Sequence, residues 1–376
     1  MIKKSIASIL CFVMISLNVF ADGTEVSSSK TLVGETIIYT LTLEQAIDMA
    51  LDNNPQLNAC LVRKQNNKTQ LAAARDTKAG YRDVKEIFVS AGYEVNYIRN
   101  GYYVHLYQDA VNLSDYEYKQ IEAQITYNIT QKYFTLKNYE KLLEIAKDSY
   151  DLVKKNYDTA SLSYELGLIA KTDLESVKVS LLQAEYNLKS YTDTYEIAKE
   201  DFKIALRKNN ENCDFVLTSN LNIVDFQTNL LEDLVKAENS RYDILSLKSN
   251  YERSKEYYEL TNLPENTARF TSAFSNYITA EYNYTNNKAL ILLGIKSSYN
   301  NISSTYNNAI LTEQNFKLKE NAYEIAQIKY EQGLITNTEL LTALNELYNA
   351  EVNFENAKLN YVLAVDKYKY DIQIGL

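Results

Sequence analysis

The chain has 376 residues and a formal net charge of −10, with two prolines, nine glycines, three cysteines, one histidine and 33 tyrosines. An acidic balance without a basic stripe argues against nucleic acid and against anionic lipid headgroups as partners. Two prolines and nine glycines leave few helix breakers, so very long uninterrupted helices are permitted.

Residues 1–21 read as a signal peptide. Lys3 and Lys4 form its basic end, Ile6 to Phe20 its apolar stretch, and Val19-Phe20-Ala21 a small-residue cleavage site. The run is shorter than the ~20 residues that cross a bilayer, so export with cleavage is expected rather than anchoring. Residues 22–40 form an N-terminal segment. Thr42 then caps a short helix opening at Leu43-Glu44-Gln45-Ala46, and Pro55 lies near its end. Alternation in Tyr93–Tyr97 and Tyr103–Tyr107 around Asn100-Gly101 predicts a β-hairpin. A long helix is expected over about 111–166, where Gly167 marks a turn, and a returning helix follows over about 175–209 with Thr172 as its cap.

Residues 41–211 thus form one unit, 212–230 a linker, and 231–376 a second unit of the same plan. Its short helix starts at Leu231-Glu232-Asp233-Leu234, and a polar loop surrounds Pro264. A long helix over about 268–332 carries an expected bend at Gly294. After the turn at Gly333, Thr338 caps a last helix over about 340–374. The turn sequence is written twice, 166 residues apart (164 to 330): Tyr164-Glu165-Leu166-Gly167-Leu168-Ile169 returns as Tyr330-Glu331-Gln332-Gly333-Leu334-Ile335. A period this long denotes a duplicated architectural unit rather than a short solenoid repeat. Beyond each glycine the apolar residues keep three-four spacing, as in Leu174, Val177, Leu181, Ala184 and Leu340, Ala343, Leu347, Ala350. That is a coiled-coil seam. The expected fold is mainly α, with long antiparallel coiled-coil helices in two tandem repeats and at most one short β-hairpin.

With Leu41–Leu57 as an opening helix, Arg241-Tyr242-Asp243-Ile244 as its second-half counterpart and the two Gly-Leu-Ile blocks as hairpin tips, the chain resembles the TolC-type outer-membrane efflux protein family. The resemblance spans nearly all of the chain beyond the signal. It implies a homotrimeric helical tunnel crossing the periplasm, capped by a β-barrel in the outer membrane. It also implies tips, here Gly167, Leu168, Gly333 and Leu334, that dock a periplasmic membrane-fusion adaptor coupled to an inner-membrane pump or secretion ATPase. The family constricts its closed entrance with a tyrosine, an aspartate and an arginine. Tyr330 and Asp173 occupy the first two places, Ile335 stands at the arginine place, Glu339 supplies an acidic ring, and Thr342 stands at the second ring position. The alternative reading of Asp173 and Glu339 is that of favourable charges at helix N-termini. Where the family has two hairpins per subunit, this chain offers one at most. Three copies then give six short strands, below the ~8 strands of ~9–11 residues that a membrane barrel uses, so a reduced barrel is expected.

No enzyme, cofactor or metal site is expected. His105 is the single histidine and falls in the predicted hairpin, and the chain has no phosphate loop, paired-cysteine metal spacing or serine elbow. Cys60 and Cys213 are too few for a disulfide framework, and whether they pair stays open. Two functions remain: an exit duct of an efflux or type I secretion system, or a non-transporting coiled-coil scaffold or adhesin of the cell envelope. Paired tips favour the duct, and the missing second hairpin favours the scaffold.

Overall fold

The computed structural model describes residues 29–33, 36–82, 92–261 and 263–373, so the expected signal peptide lies outside the described residues. Strands β1 (Ser29–Val33) and β2 (Thr36–Leu41) pair antiparallel, and β3 (Cys213–Leu217) joins β2 in parallel, from Ile37 opposite Cys213 to Leu41 opposite Leu217. All else regular among the described residues is helical. The first half holds α1 (Leu43–Leu51), α2 (Pro55–Gly80), α3 (Gly92–Asn100), α4 (Tyr102–Glu165) and α5 (Lys171–Ala205). The second holds α6 (Leu230–Ser240), α7 (Tyr242–Leu260), α8 (Ala268–Glu331) and α9 (Asn337–Ile372).

The two halves follow one plan. Each short helix breaks once before the long one begins. Between α1 and α2 the break is made by Asn53 at φ 49° and by Pro55 at the first helical position, where its missing N–H costs nothing. Between α6 and α7 no proline is present, and Arg241 takes the extended conformation instead, its guanidinium held by the Asp243 carboxylate at 2.6 and 3.0 Å. Thr42 caps α1 as expected, in a reciprocal box with Gln45. The long helices α4 and α8 each have 64 residues, or ~96 Å. Along α4, α2 covers the upper part through Arg63–Glu117 and the Arg75–Gln108 hydrogen bond, and α5 covers the lower part through Val177 and Ala184. Along α8, α7 covers the upper part through Tyr251–Tyr277 and Tyr258–Phe274, and α9 the lower part through Tyr306–Tyr361 and Phe316–Phe354.

The core is a file of small clusters, as slender helices require. The largest gathers β2, β3, α1, the middle of α4 and the end of α5 around Leu41, Ile129, Tyr133, Phe202 and Leu206. A second joins α6, α8 and the end of α9 around Ile295, Tyr361 and Tyr368. Cys60 and Cys213 are both buried free thiols in different elements, Cys60 facing the Ser114 carbonyl from α2 and Cys213 in β3.

Several expectations need correction. Residues 93–107 are not a β-hairpin. They form nearly all of α3 and the start of α4, parted at Gly101 with φ +84°. The Gly101 N–H donates to the Tyr97 carbonyl at 3.1 Å, the bond of a left-handed helix cap. Asn-Gly supplies positive φ to a hairpin turn or to a helix end alike. Tyr93/Tyr97 and Tyr103/Tyr107 fit both the period of a strand and the i, i+4 spacing of a helix. Packing decided between them: Tyr97 stacks on Tyr257 of α7 at 4.5 Å, and its hydroxyl bonds Thr261 at 2.7 Å. His105 therefore lies in α4, paired with Glu256 at 2.7 Å. Gly294 does not interrupt the second long helix, since α8 continues unbroken through it. The helices after the tips are capped two residues earlier than expected, at Ala170 and Thr336 rather than at Thr172 and Thr338.

The same substitution should have opposite signs at different glycines. Gly294 is mid-helix with open space around it, so Gly294→Ala should stabilise by about 1 kcal/mol. Gly167→Ala and Gly333→Ala place a side chain at φ +73° and +70° and should each cost about 1 kcal/mol. Thermal unfolding followed by circular dichroism checks both signs.

Candidate docking tips and the seam behind them

Each tip is a complete Schellman motif. After α4, the Gly167 N–H donates to the Tyr164 carbonyl at 2.9 Å and the Leu168 N–H to the Ser163 carbonyl at 2.8 Å. After α8, Gly333 N–H meets Tyr330 carbonyl at 2.9 Å and Leu334 N–H meets Lys329 carbonyl at 2.8 Å. The two turns have the same hydrogen-bond lengths, and their glycines differ by only 3° in φ, 73° against 70°. The residue after each glycine would ordinarily fold back onto its own helix. Here Leu168 is 72% and Leu334 68% exposed, so both leucines are directed at solvent.

Both tips stand at the same end of the chain. One buried cluster collects Val153, Ala160 and Val177 from the first hairpin with Leu341 and Leu344 from the second, and Ile169 and Tyr323 pack against it. Above it Leu142, Ile145 and Ala146 of α4 meet Tyr348 of α9. A polar clasp follows, with the Asn138 amide donating to Asn356 at 3.1 Å between α4 and α9.

The sequence-derived entrance residues lie on three helices, Asp173 on α5, Tyr330 on α8 and Glu339 on α9. Asp173 is the third residue of α5, and its carboxylate accepts from the Ala170 N–H at 3.3 Å. Ala170 has no side-chain oxygen to return the bond, so this cap is one-sided. Glu339 stands at the corresponding place in α9, in a full reciprocal box: it accepts from the Thr336 N–H at 2.7 Å, and its own N–H donates to the Thr336 hydroxyl at 3.2 Å. The Thr336 backbone bond, with the hydroxyl bond second, holds the Glu339 carboxyl below its ordinary range, so it stays ionised in mild acid. Both acids are exposed, and Tyr330 is half-buried with its carbonyl committed to the turn. Sequence reasoning missed Thr336 because Thr338 offered the same hydroxyl two residues later. The three-residue spacing Thr336–Glu339 was the available signal.

Two apolar stripes lie beyond the seams. On α5, Val179, Leu182, Tyr186, Ile197 and Ile204 are exposed, and on α8 Leu311, Leu318 and Ile325 repeat every seven residues and are exposed. Lone surface apolar residues are ordinary, but a stripe at heptad spacing is a coiled-coil face without its partner.

The profile of the family described as outer membrane efflux protein matches residues 256–367. No curated protein matches the chain. Solved structures match over most of its length. The Campylobacter jejuni CmeC outer membrane channel superposes with a TM-score of 0.70 at 15% identity, covering 88% of this chain and 85% of that one. The outer membrane protein VceC of Vibrio cholerae gives 0.66 at 15% identity, covering 88% and 96%. The open-state Neisseria gonorrhoeae MtrE outer membrane channel gives 0.62 at 12% identity, covering 88% of each. The chain therefore has the protomer fold of the TolC-type outer-membrane efflux channels, and its second half carries the sequence profile of the outer membrane efflux protein family.

Proposed function

We propose that this protein is an exit duct of a tripartite efflux or type I secretion system, a passive homotrimeric conduit of the outer membrane and periplasm. In this reading it docks onto a membrane-fusion adaptor, and through it onto an inner-membrane pump, by way of Gly167, Leu168, Gly333 and Leu334. The observation that carries the reading is the pair of matched left-handed turns at one end, each presenting an exposed leucine. Two equivalent knobs per protomer make six around a three-fold axis, a repeated surface suited to a helical-hairpin partner. The unpartnered stripes on α5 and α8 supply faces for neighbouring copies. Energy comes from the partner, and the duct does no chemistry.

Asp173 and Glu339 then form acidic rings at the entrance, attracting cations. The constriction differs from the family's, because Ile335 replaces the arginine that would pair with such acids.

One observation favours the second reading, a coiled-coil envelope scaffold without a barrel. Among the described residues, the end opposite the tips holds α3, the close of α7 and the start of α8, joined by the Tyr97–Tyr257 stack and by the Asn96 amide donating to the Leu260 carbonyl at 2.7 Å. No strand stands there among the described residues.

Light scattering of the purified protein should return a trimer, and Leu311→Glu with Leu318→Glu should reduce it to monomers of unchanged helicity. A wild-type monomer or dimer refutes the tunnel. Leu168→Asp with Leu334→Asp should remove most cross-linking to the adaptor while trimer and helicity persist. Cross-linking at the wild-type level refutes docking at the tips and leaves the scaffold as the better account.

A further inference from the structure

A cavity of about 350 Å³ is lined by the middle of α4, the irregular stretch 222–227 and α9. Its size falls within the range of small-molecule sites. Phe134, Phe226 and Tyr361 give it aromatic walls, and Val362 and Val365 add aliphatic ones. Into this apolar setting α9 places Asp366, only 8% exposed. Its Oδ2 is buried, and no hydrogen bond or ion pair reaches its carboxylate among the described residues. A buried carboxylate normally comes with a cation or several donors.

The charges around it do not balance. Asp225 shares the cavity but is already engaged, accepting from the Gln227 amide at 2.6 Å. Lys369 is the one cation in the lining, and its ammonium sits over the Phe226 ring at 5.8 Å from the centroid. From α4 the facing titratable group is Tyr127, a neutral phenol at ordinary pH. Two carboxylates against one ammonium leave the cavity one positive charge short.

We propose that this cavity binds a small organic monocation, a protonated amine on an aromatic or apolar body, with Asp366 as its counter-ion. The aromatic rings suit both the body and the charge, since a cation gains from a ring face. The site lies within one protomer and stands whether or not the chain is a duct.

The inference carries a pH signature. Burial pushes the Asp366 carboxyl up to about 7, with Lys369 opposing. Only the ionised form attracts an ammonium. Affinity should therefore rise with pH up to about 7 and level off above it, falling roughly tenfold per unit below, with proton release on binding.

The test is calorimetry of the purified full chain with benzylamine and with its neutral isostere benzyl alcohol, at pH 6 and pH 8. Benzylamine should bind about tenfold tighter at pH 8 than at pH 6, and at least tenfold tighter than benzyl alcohol, whose affinity should not change with pH. Asp366→Asn should erase the advantage of the amine, and Val362→Phe, which fills the cavity but keeps the carboxylate, should abolish binding of both. Absence of benzylamine binding, equal affinity for the two probes, or unchanged benzylamine binding by Asp366→Asn overturns the proposal. Should that variant lose its helicity, the wild-type pH dependence decides alone, and a flat profile overturns it.

Discussion

A helix of 64 residues has one apolar stripe to bury and far more length than a single short partner can cover. That mismatch organises the molecule. Each long helix is faced by a returning helix along one part of its length and by the short helix that precedes it along another, so the whole rod keeps a neighbour. The division needs a chain reversal at one end of each rod and a break near the middle of its cover. Sharp left-handed turns at Gly167 and Gly333 provide the reversals, while Asn53–Pro55 and Arg241 provide the breaks. Long helices gain little from propensity alone in water, so stability rests on these seams.

Thin seams leave the crossing segments poorly anchored, and tyrosine solves this where phenylalanine would not. Tyr133 is fully buried on α4, yet its hydroxyl donates to the Leu41 carbonyl at 2.9 Å and accepts from the Ser219 N–H at 2.8 Å, pinning the ends of β2 and β3 to the rod. Tyr361 on α9 does the same for the irregular stretch, accepting from the Phe226 N–H at 3.1 Å and donating to the Val224 carbonyl. Tyr368 bonds the buried Asp233 of α6 at 2.8 Å. In each case the ring joins the apolar seam while the hydroxyl ties a backbone or carboxylate group of the crossing segment to the rod. The abundance of tyrosine is thus partly structural: it lets extended chain lie flat against helices that have no core to spare.

Most of this was legible in the sequence because it rests on local chemistry. Gly-Leu-Ile written twice, three-four apolar spacing and the scarcity of Pro and Gly needed only short-range rules, and the long helices, turns and pairing follow from them. What escaped reading depended on distant partners. The 93–107 stretch fitted strand and helix periods equally, and the tie was broken by Tyr257 and Thr261, over 150 residues away. Strand β3 was missed because a short parallel pairing between residues 36–41 and 213–217 has no local signature, whereas β1 and β2 pair antiparallel within residues 29–41, a local signal that went unread. Asp366 was passed over as one more acid on a helix face. Its neighbours Val362 and Val365 were the signal that this face is buried, and recognising the cavity also required the 222–227 stretch.

Capping and ring formation at the proposed entrance are compatible roles for Glu339. A carboxylate at the third helical position spends lone pairs on Thr336 and keeps the remainder facing solvent, where Glu339 is exposed. The cap fixes the side chain, so three copies around an axis would present acids of defined position rather than a mobile cloud. The same cap sets a limit. The helix N-terminus carries about half a unit of positive charge, which offsets part of each carboxylate as seen from the axis. Such a ring attracts cations more weakly than three bare carboxylates would. It also resists protonation, because the bonds that hold the Glu339 carboxylate favour its ionised form. Asp173, capped from one side only, is held by a single bond from the Ala170 N–H and is the less fixed of the two. The asymmetry between Ala170 and Thr336 therefore makes the second tip the more rigidly charged one, although the backbone turns behind the two are the same.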